Sequence, residues 1–379
     1  MVARVRVGWS TWLLNWRIVP LSERTEENAM PVIDADCHVI EADHTWAYLD
    51  PADEQYRPKP HQSTTEPNEA FWEIDGQVRR RPFGTAARGI RSESLSGFAA
   101  TTMATRTLGD VQARIAHMDQ LGVDVQVLYP TIYLTQISQK PEIDLALAKS
   151  YNRWLADIFA QAEGRLRWIA VPPLLSLDDV PEQLRFAKEN GAVGVFMRGF
   201  EGDRQAADPY FFPVYEAAQK LDLPITFHAG CGNPSFVDLT VGDAYTRNKV
   251  PVISAFHTLL FRNVPAKFPE LRFGFIEVAA NWVPYIVTDL ARRVEREGRE
   301  LTKDVLADNN MFVACQTNDD LPYIINSVGD DNLMIGSDYG HSDTSSELEA
   351  LRSLRESGAL PARTIEKILD DNPRRLYGI

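Results

Sequence analysis

The sequence predicts an α/β protein, a (β/α)₈ TIM barrel with an inserted loop region after its first strand. Short β-rich runs alternate with amphipathic helical segments, which is the pattern of a parallel sheet. There are eight such runs, and eight parallel strands close a barrel. A doubly wound open sheet is the competing architecture, because a sequence does not show closure. The predicted strands are Val32–Cys37, Val125–Tyr129, Trp168–Val171, Val193–Met197, Ile225–His228, Arg272–Glu277, Phe312–Cys315 and Leu333–Ser337, with helices such as Val111–Leu121 and Ile143–Ala160 between them.

One connection is unusually long and joins the first strand to its helix, from residue 50 to about 105. It carries Pro, Gly, Ser, Thr and Arg in irregular order. Loops of this length in a compact domain are often lids or binding loops, and loops after barrel strands surround the active site. Phe71, Trp72, Phe83 and the run Arg79–Arg81 therefore either shape the pocket or decorate the surface.

The composition is that of a globular protein with a sizeable core, at 44% hydrophobic and 24% charged residues. The net charge of −14 argues against a nucleic-acid partner. No apolar run approaches the roughly 18 residues that cross a membrane. Three widely spaced cysteines, Cys37, Cys231 and Cys315, predict neither a disulfide framework nor a CxxC zinc site, so we expect a cytoplasmic protein.

The N-terminal residues 1–29 are expected to be a poorly integrated extension, and residues 30–379 the barrel domain. The apolar stretch Val7–Leu14 is short, polar residues interrupt the apolar pattern after it, and no small-residue cleavage site is clear. Met30 stands directly before the first convincing strand and suggests an upstream start codon for the extension.

Polar side chains collect where predicted strands end, which in a barrel is the active-site face. The first strand ends in Asp36-Cys37-His38, and strand alternation points Asp36 and His38 the same way. His228, Glu277 and Asp338 follow or close three further strands. Each could be a satisfied structural residue, but buried acids and imidazoles are costly unless paired or metal-bound. Their accumulation predicts a divalent-metal site.

Several motifs, in this order, carry a family resemblance. The chain resembles the amidohydrolase superfamily, in the branch that contains aminocarboxymuconate semialdehyde decarboxylase and related aromatic acid decarboxylases. The resemblance runs from about Pro31 to Ile379. The matching motifs are Val32–Glu41, Tyr151–Trp154 with Arg165-Leu166, Lys267–Arg272, Gly336–Tyr339 and Asp371–Gly378.

The resemblance implies metal ligands at Asp36, His38, His228 and Asp338, with Asp338 also helping to deprotonate a metal-bound water. Two departures stand out. Asp36 replaces the first histidine of the family's HxH, and Glu277 stands where the decarboxylases of this branch have a catalytic histidine. The family's carboxylated lysine has no counterpart in the fourth strand. A second ion would need Glu277 or Asp338 as a bridge.

Five further residues are assigned from their positions. His341 either ligates a second ion or hydrogen-bonds substrate or backbone. Arg198, after the fourth strand, either binds a substrate carboxylate or locks a loop through an ion pair. His257, on an apolar helix, is expected to be a core histidine, and His117 to be structural. Cys37 faces away from its neighbouring ligands and is expected to be an inert, packed thiol.

The leading functional hypothesis is hydrolysis of an amide, ester, thioester or lactone of a small organic acid derivative by metal-activated water, with Asp338 and Glu277 as catalytic residues. The alternative is non-oxidative decarboxylation of an aromatic or unsaturated acid. A metal-binding subunit without chemistry of its own and redox chemistry at an iron or manganese pair are further alternatives. We expect one or two zinc, iron or manganese ions per chain, a small-molecule substrate and a homodimer.

Overall fold

A computed structural model of the chain describes residues 31–62, 70–82, 101–341 and 345–379. The predicted extension at 1–29, the segment around Phe83, and the side chains of Phe71 and Arg79–Arg81 lie outside the described residues. The strands are β1 Ile33–His38, β2 Lys59–Gln62, β3 Ala70–Ile74, β4 Gln77–Pro82, β5 Val125–Tyr129, β6 Leu166–Ala170, β7 Ala192–Met197, β8 Phe200–Glu201, β9 Arg204–Gln205, β10 Ile225–His228, β11 Phe273–Ile276, β12 Met311–Cys315 and β13 Leu333–Ile335.

Helices surround the sheet and supply most of its cover. The α-helices of the described residues are α1 Met103–Arg106, α2 Val111–Leu121, α3 Pro141–Gln161, α4 Val180–Glu189, α5 Phe212–Lys220, α6 Pro234–Leu239, α7 Ala244–Asn248, α8 Val250–Phe261, α9 Val283–Glu295, α10 Val305–Asp308, α11 Leu321–Val328, α12 Ala350–Glu356, α13 Ala362–Glu366 and α14 Asn372–Tyr377. Short 3₁₀ helices and a π-helical turn at Lys367–Asp371 complete the helical layer. Among these residues no helix is both long and apolar enough to cross a membrane.

Eight strands form one parallel sheet in the order β1-β5-β6-β7-β10-β11-β12-β13. The sheet closes beyond the end of β13, where the Asp338 amide donates to the Asp36 carbonyl at 2.9 Å. The His38 amide likewise donates to the Tyr339 carbonyl at 2.6 Å. These bonds join the first and last strands, so the predicted barrel is confirmed and an open doubly wound sheet is excluded.

All eight predicted barrel strands are present, and each boundary lies within two residues of the prediction. Nearly every residue in them is buried, because helices cover the outside of the sheet and side chains fill its interior. Glu277 and Asp338 lie just outside the observed strands β11 and β13, in the turns that follow them.

The long insertion after β1 contains regular secondary structure, which the sequence did not predict. Strands β2, β3 and β4 form a small antiparallel sheet in which β3 pairs with both neighbours. Trp72 on β3 is buried and meets the ring of Trp46 edge-on at 5.9 Å. Trp72 therefore anchors this sheet to the barrel.

Candidate metal centre

The first strand places two side chains side by side on the active-site face. Asp36 and His38 are buried, and Asp36 Oδ1 lies 3.7 Å from His38 Nε2. A glycine at 336 makes this possible, because a side chain there would overlap Asp36. The structure thus brings together the two residues that strand alternation predicts to converge.

His228, at the end of β10, completes a triad with them. Its Nε2 lies 3.2 Å from Asp36 Oδ1 and 3.1 Å from His38 Nε2. The Nδ1 of His38 lies 3.2 Å from the Pro130 carbonyl, and that of His228 lies 3.1 Å from the Ala229 carbonyl. A carbonyl only accepts, so each ring donates Nδ1–H to it and presents the lone pair of Nε2. Two lone pairs and a carboxylate that face one another are repulsive until a cation lies between them.

Two acidic side chains, Glu277 and Asp338, join this cluster, and both residues have a left-handed backbone conformation. Glu277 and Asp338 have φ of 62° and 52°, a conformation that costs about 1–3 kcal/mol for a non-glycine residue and often marks functional sites. Glu277 Oε2 lies 3.4 Å from His228 Nδ1 and 4.0 Å from His38 Nε2. Asp338 Oδ1 lies 3.5 Å from His38 Nε2.

His341 joins the cluster with a defined orientation. Its ring stacks on His38 at 3.7 Å, and its Nδ1 lies 2.9 Å from Asp338 Oδ1. Its Nε2 lies 2.9 Å from the hydroxyl of Thr131. That hydroxyl donates its proton to the Val39 carbonyl at 2.7 Å, so it accepts from His341 Nε2–H. His341 therefore turns Nδ1 towards the acids.

The candidate ligands form two groups that share His38. Within each group, ligand atoms lie within 4.8 Å of one another. An imidazole nitrogen has one lone pair, so His38 binds one ion, and a second ion would rest on Glu277, Asp338 and His341. Mixed carboxylate and imidazole donors suit manganese, iron and zinc. The groups are Asp36, His38 and His228, and His38, Glu277, Asp338 and His341.

A buried polar network lies behind the centre. Both oxygens of Asp34 accept from Ser337, from its amide at 2.8 Å and its hydroxyl at 2.5 Å. Gln126 donates to Asp34 at 3.3 Å, and Arg114 donates to Gln126 at 2.7 Å. Burial raises the pKa of Asp34 above its ordinary value, although the Ser337 bonds oppose the shift. This network fixes the turn that carries Asp338.

A small, partly open cavity lies beside the centre. Besides site acids, its lining includes the neutral polar residues Gln316 and Ser345 and the thiol of Cys315. Burial raises the pKa of the Cys315 thiol well above its usual range, so this thiol is a packing group and no nucleophile. Asp36, Glu277 and Asp338 line this cavity.

Arg198, after β7, is engaged with the protein itself. Its Nε and Nη2 donate to the two oxygens of Glu201 at 2.9 and 2.5 Å, and its Nη1 donates to the Tyr133 carbonyl at 2.9 Å. Burial opposes the charge, but Glu201 and Asp144 hold the Arg198 pKa above its ordinary value. The geometry is that of a loop lock, and substrate binding by Arg198 stays a prediction.

The remaining residues assigned from the sequence belong to neither group of candidate ligands. His117 is buried, with Nδ1 2.8 Å from the Tyr339 hydroxyl. His257 on α8 is only half-buried and stacks on Phe261 at 5.9 Å, so it is less enclosed than the core position we expected. Cys37 is fully buried, and burial raises its thiol pKa well above the ordinary value.

Several residues that shape the site were not predicted from the sequence. Thr131 and Gln316 follow β5 and β12, two strand ends for which no candidate was named. Their position after a strand was the available signal. Asp319 and the pair Asp34–Ser337 carried no such signal, because their partners lie far away in the sequence.

Comparison with known proteins identifies the family. A family model described as amidohydrolase matches residues 33–379. The chain belongs to this amidohydrolase family. The resemblance inferred from the sequence motifs is thereby confirmed.

Named relatives add detail about similar proteins. The 2-amino-3-carboxymuconate-6-semialdehyde decarboxylase of Dictyostelium discoideum is 25% identical over 120 residues, which span 31% of this chain and 33% of that protein. The match therefore covers only about a third of that curated relative's length. The crystal structure of an amidohydrolase from Mycobacterium avium subsp. paratuberculosis K-10 has a TM-score of 0.73 and 20% identity, covering 92% of this chain and 99% of its own.

A third relative was crystallised with a metal. The 5-carboxyvanillate decarboxylase of Novosphingobium aromaticivorans, in complex with manganese and 4-hydroxy-3-methoxy-5-nitrobenzoic acid, has a TM-score of 0.60 and 20% identity. The match covers 78% of this chain and 89% of that one. At this identity the structural likeness shows the fold alone.

Proposed function

We propose that the protein is a metal-dependent decarboxylase that removes a carboxyl group, without oxidation, from an aromatic or unsaturated carboxylic acid. The observation that carries the proposal is the buried cluster of carboxylates and imidazoles at the active-site face, with Asp36, His38 and His228 converging within 3.7 Å. Two of the named relatives are decarboxylases, which favours this reaction over the hydrolysis that led among the hypotheses from sequence.

The donor set fits a divalent transition ion, for which manganese, iron and zinc are candidates. Asp36, His38 and His228, whose ligand atoms lie within 4.8 Å of one another, would hold it, with Asp338 as the further ligand that the family resemblance implies. Such an ion supplies Lewis-acid polarisation of the substrate carboxylate and a neighbouring oxygen. Mn²⁺ is the first choice for experiments because a relative of the same fold was crystallised with manganese.

The chain's own residues would then supply the one proton that decarboxylation consumes. Decarboxylation breaks the bond between the carboxyl group and its carbon, releases CO₂, and puts a proton on that carbon. Asp338 would hold this proton beside the substrate, and a protonated His341, whose Nδ1 lies 2.9 Å away, would return one to it after taking up a proton from solvent. Thr131 would keep His341 in the orientation that this transfer needs. Asp338 is buried and the other two residues are half-buried, so the path is only partly open to bulk water.

Hydrolysis is the second candidate because of Glu277. A carboxylate beside the metal site can orient or deprotonate a water, whereas it cannot donate a proton while ionised. Glu277 Oε2 lies close to both site histidines, at 3.4 and 4.0 Å, which is where such a base would act.

The deciding experiment offers Mn²⁺-loaded protein two panels of substrates. One panel contains hydroxylated benzoic acids and unsaturated dicarboxylic acids, and the other contains esters, amides, thioesters and lactones of similar size. We expect CO₂ release from the first panel, with deuterium at the vacated carbon when the solvent is D₂O. Asp338→Asn should abolish turnover, whereas His257→Gln, at a half-buried position on α8 outside both ligand groups, should preserve it. Turnover of the second panel alone would replace the proposal by hydrolysis.

A further inference from the structure

The turn that carries Glu277 is tied to the loop after β12 by one carboxylate. Asp319 Oδ2 accepts from the Ala280 amide and from the Gln316 amide, each at 2.8 Å. Asp319 Oδ1 accepts from the Asn281 amide at 3.2 Å. Asp319 is 9% exposed, so these amides find their acceptors in the protein. One side chain thus joins the loops after two neighbouring strands.

The turn needs such a tie because its backbone is strained. Both Glu277 and Ala279 have left-handed φ, of 62° and 59°. A left-handed pair persists only where the surrounding structure imposes it. The amides of Ala280 and Asn281, which donate to Asp319, directly follow Ala279 in the chain. The Trp282 indole also donates to the Ala279 carbonyl at 2.8 Å. The backbone direction at Glu277 determines where its carboxylate lies.

We propose that Asp319 is a positioning residue that holds the Glu277 carboxylate against the metal site. Asp319 acts through the Ala280 and Asn281 amides, and the result is the approach of Glu277 Oε2 to His228 Nδ1 and His38 Nε2. The inference rests on the metal-dependent part of the proposed function, with Glu277 as a ligand in the group that it forms with His38, Asp338 and His341, and it does not depend on which reaction the protein catalyses.

An asparagine at 319 separates this role from packing. It has nearly the shape of aspartate, but one of its two polar atoms donates and cannot accept an amide N–H. Asp319→Asn therefore loses at least one of the three bonds with little change in volume. Asp320 provides a matched control, since it is the next residue, is exposed, and accepts from the Tyr323 amide at the start of α11. Asparagine serves equally well at such a helix start.

The test is Mn²⁺ affinity, measured by calorimetry without substrate, for wild type, Asp319→Asn, Asp320→Asn, Glu277→Gln and the Asp319→Asn/Glu277→Gln double variant. We expect Asp319→Asn to weaken binding 10- to 100-fold, the usual loss when a residue that orients a ligand is changed. Asp320→Asn should bind like wild type. In the Glu277→Gln background, Asp319→Asn should cause no further loss.

Three results would overturn the inference. They are wild-type affinity in Asp319→Asn, wild-type affinity in Glu277→Gln, and an undiminished effect of Asp319→Asn in the Glu277→Gln background. Circular dichroism of each metal-free variant shows whether it is folded. If Asp319→Asn fails to fold, Asp319→Ser, which keeps one acceptor, replaces it in the same cycle. Because no substrate is used, failure of the proposed decarboxylation leaves the outcome unaffected.

Discussion

Replacing one member of the buried Arg198–Glu201 pair should destabilise the protein strongly. Both side chains are less than a tenth exposed, and Glu201 Oε1 also accepts from the Arg198 amide at 2.7 Å. Removing one partner leaves the other charge buried and uncompensated, which costs about 3–5 kcal/mol. Replacing both partners by neutral side chains costs much less, because both desolvated charges are gone.

The variants follow from the hydrogen bonds. Glu201→Gln keeps one oxygen for the Arg198 amide but places an NH₂ group against the guanidinium. Arg198→Met keeps the length of the side chain and removes its charge. At about 2.1 cal/mol/K of unfolding entropy per residue, a chain of 379 residues loses about 0.8 kcal/mol per degree, so about 4 kcal/mol lowers Tm by about 5 °C. We expect this shift for each single variant and a clearly smaller shift for the double variant, well short of the sum of the two.

Thermal and urea unfolding of the four proteins measure the effect. A loop lock predicts coupling of at least about 2 kcal/mol between the two positions. Additive losses would show that the pair contributes nothing as a pair. A stable Arg198→Met protein whose KM rises sharply with unchanged kcat would refute the loop lock and restore the prediction that Arg198 binds substrate.

Two further predictions concern the site and its surroundings. Thr131→Val removes the hydroxyl that orients His341 and should weaken Mn²⁺ binding about tenfold, whereas Thr131→Ser should keep wild-type affinity in the same calorimetric measurement. Burial raises the pKa of Asp144 from 3.8 to about 6. The native state therefore holds this proton more tightly than the unfolded chain, and the stability it contributes is complete below pH 4 and lost as the pH rises through 6. In urea unfolding, the stability of Asp144→Asn relative to wild type should increase between pH 4 and pH 7.5. A decrease over this range would contradict the assignment.

The barrel and its ligand-bearing strand ends were predictable because both depend on local pattern. The boundaries of β5 and β10 match the predictions residue for residue, since each is a short apolar run of β-forming residues. Parallel topology then brings the carboxyl ends of the strands to one face, so Asp36 and His228 had to approach each other.

The features that the sequence did not reveal depend on approach between distant segments. The ion pair with Glu201 engages the Arg198 guanidinium within the protein. The spacing of the two residues in the sequence does not distinguish such an ion pair from a free guanidinium. The antiparallel sheet β2–β4 was hidden because its strands are short and carry Pro60 and Pro82. Asp319 is one of many loop acids in the sequence, and only the folded chain places it against the turn after β11.

The residue at position 277 is where the two candidate reactions separate. Decarboxylation needs a proton donor at the carbon that loses CO₂, and an ionised Glu277 beside His228 only accepts. The described donor that fits is the Asp338–His341 pair, in which the His341 ring stacks on His38. A decarboxylase with Glu277 in this place would therefore take its proton from the loop after β13, not from the turn after β11. Hydrolysis requires no such relocation, because Glu277 then acts as a base and His341 serves as a metal ligand.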